Sequence, residues 1–110
     1  MPFYLTRFSY TPETWAKLIK NPEDRRDAAR QYAEAAGGKL HGFWYALGEH
    51  DGYCLVEAPD NASMAAIAIA ISAGGALSAM ETTALLTVEE TLSALKKAAK
   101  IKYRPPGEKA

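Results

Sequence analysis

A chain of 110 residues with 48% apolar and 24% charged side chains has the composition of one small folded domain, which excludes a wholly disordered polymer. Thirteen basic and thirteen acidic residues cancel, so no global field draws the protein to nucleic acid or to an acidic membrane surface, and neither is an expected partner. The longest apolar run, Met64 to Ile71, is far short of the ~18–20 residues that cross a bilayer.

In chain order, Phe3 to Tyr10 is aromatic and β-branched enough to predict a first strand. Thr11-Pro12-Glu13 then supplies an N-cap, a proline for the first helical position and an early acid. The helix that starts there is expected to stop or bend at Asn21-Pro22-Glu23-Asp24, and a second helical piece to end at Gly37-Gly38. Lys39 to Leu47 reads as a second strand and Gly52 to Ala58 as a third. Between them Gly48-Glu49-His50-Asp51-Gly52 forms a polar hairpin turn, with both glycines at positive φ and Asp51 accepting backbone N–H groups within the turn.

Met64 to Ile71 alternates as strictly as a strand, but Asp60 or Asn61 as a cap, Gly74-Gly75 beyond and the abundant alanine favour a helix. Ala76 to Leu86 supplies a fourth strand, and Thr87-Val88-Glu89-Glu90 is a capping box that opens a last helix through about Ala99. Residues 1–101 are read as one domain and 102–110 as a flexible tail. The order β-α-β-β-α-β plus a C-terminal helix predicts an α+β, ferredoxin-like split βαβ fold with an antiparallel sheet.

A monomer of this fold covers one sheet face with helices and leaves the other polar. Here Leu40, Trp44 and Ala46 alternate with Phe43, Tyr45 and Leu47, and Cys54 and Val56 with Tyr53 and Leu55, so neither face is suited to water. The expectation is a homo-oligomer in which a second copy supplies the missing cover. The Ala/Ile helix, apolar around most of its circumference, points the same way. The lone Cys54 and the absence of a charged leader ahead of an apolar run lead to the expectation of a reducing, cytoplasmic compartment.

Chemistry-bearing residues are few. His41 and His50 are the only histidines, and nine residues of regular strand at about 3.3 Å each would hold them about 30 Å apart, too far to share a metal ion within one subunit. No metal site or organic cofactor is expected. His50-Asp51 at the hairpin tip is either turn structure or a carboxylate-assisted proton shuttle. Arg7 and Glu81 are charges inside predicted strands, which serve either a cavity or an edge that resists aggregation. Tyr4, Thr6, Arg7, Tyr45 and Tyr53 are candidate ligand contacts, with His41 sharing the strand face of Tyr45 and Trp44 opposite. Lys96, Lys97, Lys100 and Lys102 read as a solvated helix face.

The segments Gly38 to Asp51, Val56 to Asp60 and Glu81 to Thr87 with Glu89-Glu90 resemble the GYD-domain family, as do the opening Tyr10-Thr11-Pro12-Glu13 and the break at Asn21 to Arg25. The resemblance implies a ferredoxin-like fold of the dimeric α/β-barrel group, found in small bacterial proteins. That group includes cofactor-independent oxygenases and lyase-type enzymes, so the fold alone does not choose a function. The family usually has Tyr directly before the retained Asp51, whereas His50 stands there in this chain and Tyr53 lies two residues beyond the Asp. Three functions follow as expectations. The leading one is a homodimer or higher oligomer binding a small apolar or aromatic molecule. The second is a cofactor-independent enzyme of oxygenase, isomerase or lyase type, with His50, Asp51 and His41 as catalytic groups and Arg7 steadying an anion. The third is a structural or regulatory oligomer without a ligand.

Overall fold

A computed structural model describes residues 1–108. It contains β1 (Phe3–Tyr10), α1 (Pro12–Lys20), α2 (Arg26–Ala35), β2 (Lys39–Tyr45), β3 (Gly52–Glu57), α3 (Asn61–Ala73), β4 (Leu77–Leu85) and α4 (Val88–Ala98). The strands form one antiparallel sheet in the order β2-β3-β1-β4. This is the ferredoxin-like split βαβ arrangement, with the first connection broken into two helices and a helix appended. No helix among the described residues is long and apolar enough to cross a membrane.

Local chemistry accounts for the element ends. Thr11 Oγ1 accepts from the Thr14 N–H at 3.1 Å and caps α1 behind Pro12. At the end of α2, the Gly38 N–H reaches the Ala33 carbonyl and the Gly37 N–H the Glu34 carbonyl, each at 2.9 Å, the paired bonds of a Schellman stop. Asp60 caps α3 through the Ser63 N–H at 2.8 Å, so the alternating Ala/Ile run is a helix because its boundaries outweigh its period. Residues 102–108, in the expected tail, carry no helix or strand, while residues 109 and 110 lie outside the described residues.

All three packed helices sit on one side of the sheet. Tyr4, Thr6, Phe8 and Tyr10 of β1 face them and are buried, and the core gathers Tyr4, Ala33, Val56, Ala58, Met64 and Ile67. Phe3, Leu5, Arg7 and Ser9 face the other way, and cross-strand pairing places Tyr53, Leu55 and Glu57 of β3 beside them. This second face has no helix over it. Its edge strand presents Trp44, paired with Tyr53 and 55% exposed.

The strand β2 is not regular. Its pairing with β3 shifts between Leu40 and Gly42, so His41 is the extra residue of a bulge. A bulge inverts side-chain parity, and the expected grouping of His41 with Tyr45 is therefore incorrect. Leu40, Phe43 and Tyr45 lie on the helix side, whereas His41 and Trp44 lie on the open side. In the turn, Gly48 has φ +138° as expected, but Gly52 has no positive φ. Gly52 is required for room instead: a Cβ there would come within 2.3 Å of the Phe8 ring that crosses it.

Candidate functional site

Between the covered sheet face and helices α2 and α3 lies a cavity of about 370 Å³. It exists because the helices turn short side chains inward: Ala29 and Ala33 from α2 and Ala70 from α3 do not fill the space above Phe8, Phe43 and Val56. Met64, Ile67 and Ile71 complete an apolar wall.

The polar groups on that wall are few and mostly satisfied by neighbours behind it. Thr6 Oγ1 pairs with Thr82 Oγ1 at 3.1 Å, and the Tyr10 hydroxyl pairs with that of Tyr45 at 3.1 Å. Burial, reinforced by the Tyr45 hydrogen bond, moves the Tyr10 hydroxyl above its ordinary pKa. Burial also pushes the Cys54 thiol up to about 11, so it is a neutral, weakly reactive part of the wall near pH 7. Arg25 is the charged side chain of the lining, bridged to Glu23 at 2.6 Å. That carboxylate raises the guanidinium pKa further, against the opposing effect of partial burial. Tyr32, 42% exposed, lines the cavity beside it.

The residues singled out in the sequence fall into three places. Thr6 lines the cavity. Tyr4 is buried on the same face, donates its hydroxyl to Asn61 Oδ1 at 2.6 Å and borders a smaller hollow of about 250 Å³ with Met64 and Thr82. Tyr45 is on this side too, but at the sheet edge among Tyr10, Phe43 and Trp15. Arg7, Tyr53 and His41 are on the open face. There Arg7 is paired with Glu81 of β4, and His41 Nε2 meets Glu57 Oε1 at 2.8 Å with its ring 5.1 Å from that of Phe3.

The hairpin tip forms the third place. Asp51 Oδ2 accepts the Tyr10 N–H at 2.9 Å and the Trp15 Nε1–H at 3.1 Å, so the carboxylate ties the turn to β1 and α1. The expected bonds within the turn are replaced by these longer-range ones. His50 stands edge-on to Tyr53, with ring centroids 6.2 Å apart, and its Nδ1 is buried without a hydrogen-bond partner. Neither histidine is on the cavity wall. No three His, Cys, Asp or Glu side chains among the described residues stand close enough to hold a metal ion.

Arg25, Ala29, Tyr32, Met64 and Ile67 were missed as lining residues. The signal was present in the helices: Ala29, Tyr32, Ala33 and Ala36 recur at three- and four-residue spacing along α2 and mark one face of small side chains.

The family model described as GYD domain matches residues 4–95, which takes in every strand and the cavity wall. This chain belongs to the GYD domain family. Its GYD fold is similar to that in the crystal structure of MtbAldR, with a TM-score of 0.51 and 14% identity over 78% of this chain. The GYD chain spans about half of that protein, 52%. It is also similar to the solution structure of the C-terminal domain of the MgtC protein from Mycobacterium tuberculosis, with a TM-score of 0.52 and 14% identity, covering 77% of this chain and 88% of that one. Likeness at such identity concerns the fold alone. No curated protein has a significantly similar sequence.

Proposed function

We propose that this GYD protein is a cytoplasmic homo-oligomer that binds a small, largely apolar or aromatic molecule between its sheet and helices α2 and α3. The observation that carries the reading is the cavity itself. Its volume of about 370 Å³ falls within the ~300–1,000 Å³ of typical ligand sites, and it joins apolar walls to a small number of polar groups in the same way. Thr6 belongs to its floor, while Arg25 and Tyr32 offer a polar handle; Tyr4 serves the adjoining hollow.

Passive binding accounts for the wall better than turnover does. A general base needs to reach the substrate and to be poised near the working pH. The titratable groups facing the cavity are Tyr10, Cys54, Tyr32 and Arg25; burial moves the first two away from neutrality, and arginine does not deprotonate. The oligomeric part of the reading rests on apolar surface without cover: the open sheet face, and the outer side of α3, where Ile69 is 68% exposed. On that reading Arg7, His41 and Tyr53 meet a neighbouring subunit rather than the ligand.

Thermal-shift screening against small aromatic and aliphatic metabolites tests the binding claim. A true ligand raises the melting temperature of the wild-type protein, because anything that binds only the native state must do so. Ala70→Phe puts a ring into the cavity from an exposed position on α3 and is expected to abolish the shift. Equal shifts in wild type and Ala70→Phe, or none across the library, would sink the cavity reading.

A further inference from the structure

From Thr83 to Arg104 every residue is exposed. This stretch is not polar. Val88, Leu92, Leu95 and Ala99 recur at helical spacing and form one stripe along α4, continued by Leu86 before it and by Ile101 and Tyr103 after it. Val88 is 72% exposed, Leu92 53% and Leu95 61%. Lys97 and Glu90 lie on the opposite side of the helix, and Glu89, Lys96 and Lys100 flank the stripe along one border.

A helix of 11 residues is marginal in water without packing, since most helical stability in proteins comes from burying an apolar face. The chain's own sheet does not supply that packing. Only Leu86 and Thr87 separate β4 from α4, and Thr87 is extended, with φ −73° and ψ 165°. The helix therefore runs outward, and the molecule is stretched to 63 Å against 32 and 24 Å in its other dimensions.

We propose that α4 is an exchanged arm that lies across the open sheet face of a second copy of the chain, whose own α4 lies across the first. This rests on the homo-oligomeric part of the function proposed above and adds to it which surfaces meet. Both orphan surfaces occur on the same polypeptide, one a helical stripe and the other a flat sheet face, and helix on sheet is a standard way of closing a core. A twofold axis covers both at once, with no surface left to propagate a fibre. Six apolar side chains from Leu86 to Tyr103 are each more than half exposed, a contiguous apolar surface that calls for cover by a partner, and a standard interface takes ~800 Å² from each side. Charge fits as well. On the open face Glu81, bridged by Arg7, is still 61% exposed, and Glu57 is bridged by His41, so Glu81 is the carboxylate left open to the cations Lys96 and Lys97 in the last turn of α4 and Lys100 just beyond it.

Trp44 is the natural reporter, since it lies on the open face at 55% exposure. In a full-length Trp15→Phe chain, emission from Trp44 is expected to shift to the blue and to resist acrylamide quenching as concentration rises from nanomolar to micromolar, in step with dimer formation by sedimentation. Leu92→Asp with Leu95→Asp changes only exposed positions of the single chain, so it leaves the subunit folded by near-UV circular dichroism. The pair is expected to weaken the dimer at least 100-fold and to leave Trp44 open to quencher at all concentrations. A Leu92→Asp/Leu95→Asp protein that dimerises as tightly as wild type overturns the arm while the oligomer stands. A dimer lost on those substitutions with Trp44 never protected in wild type overturns the seating on the sheet. A wild-type chain that stays monomeric at 100-micromolar concentration, on the order of the weakest specific assemblies, overturns both.

Discussion

The two sides of β1 make a natural experiment. Tyr4, Thr6, Phe8 and Tyr10 are 3%, 4%, 5% and 9% exposed, while Phe3, Leu5 and Arg7, interleaved with them, are only half-buried. Local backbone and strand neighbours are the same for both sets. What differs is that α1, α2 and α3 all pack on one side, so burial along the strand is set by the helices and not by the hydrophobicity of the strand. The corresponding contrast between helices is sharper still. In α3 Met64 and Ile67 are buried, whereas α4 has no buried residue at all.

That contrast breaks first at Phe8. Its ring packs edge-on to Phe43 at 5.6 Å and to Tyr10 at 5.3 Å, and it lies across Gly52. Phe8→Ala is expected to cost about 3–5 kcal/mol, the usual range for removing a buried aromatic ring. Leu5→Ala, on the open side, should cost less than about 1.5 kcal/mol in dilute protein, because its cavity opens to solvent. Urea midpoints for the two variants at sub-micromolar concentration measure the difference. Equal losses would mean that the open face is packed within one chain, and the distinction between the two sides would fail.

A smaller effect belongs to the hairpin tip, where Asp51 and His50 are adjacent but differently engaged. Asp51→Ala removes the acceptor of the Tyr10 N–H and the Trp15 indole N–H; water can replace it at the exposed indole, but leaving the part-buried Tyr10 donor unpaired costs about 1–3 kcal/mol. His50 Nδ1 has no partner to lose, so His50→Ala should change stability by less than about 0.5 kcal/mol. Asp51→Asn keeps an acceptor oxygen and should recover part of the loss. A His50→Ala protein as unstable as Asp51→Ala would show that the imidazole carries the turn.

Much of this architecture was legible in the chain. Thr11-Pro12, Asp60 and the Thr87 to Glu90 box mark helix starts by offering acceptors to backbone N–H groups that a helix leaves orphaned, and that chemistry is local. The apolar character of both sheet faces was legible for the same reason, since it needs only composition at alternate positions. What was not legible is the bulge at His41. One extra residue in β2 is invisible in period-two counting, yet it takes His41 off the covered face of Tyr45 and puts it on the open face beside Trp44. The candidate site suffered most from this. Its floor, Thr6, was named, but its walls come from alanines on α2 and α3, and a cavity is made by side chains that are absent rather than by those that attract notice.

Two of the capped helices, α1 and α4, carry the comparison to its finest scale. Judged by hydrogen bonds alone α4 has the stronger start: Thr87 Oγ1 accepts the Glu90 N–H at 3.0 Å, and Glu90 Oε1 accepts the Thr87 N–H at 3.0 Å, a reciprocal box. The α1 cap has the Thr11 acceptor without that return bond. Removing either threonine oxygen should weaken its own helix by about 1 kcal/mol. Only α1 is tied to the rest of the domain, through Trp15 to Asp51 and through the Thr14 hydroxyl to the Ala76 carbonyl at 2.8 Å. Thr11→Ala should therefore lower the global urea midpoint, whereas Thr87→Ala in dilute protein should reduce helical ellipticity at low denaturant and leave the midpoint in place. At concentrations where α4 is engaged with a partner the same Thr87→Ala loss must enter the cooperative transition, because a cap counts toward global stability only when its helix is part of the packed unit. A midpoint that responds to Thr87→Ala at high protein concentration but not at low therefore separates a helix held by its own hydrogen bonds from one held by a neighbour.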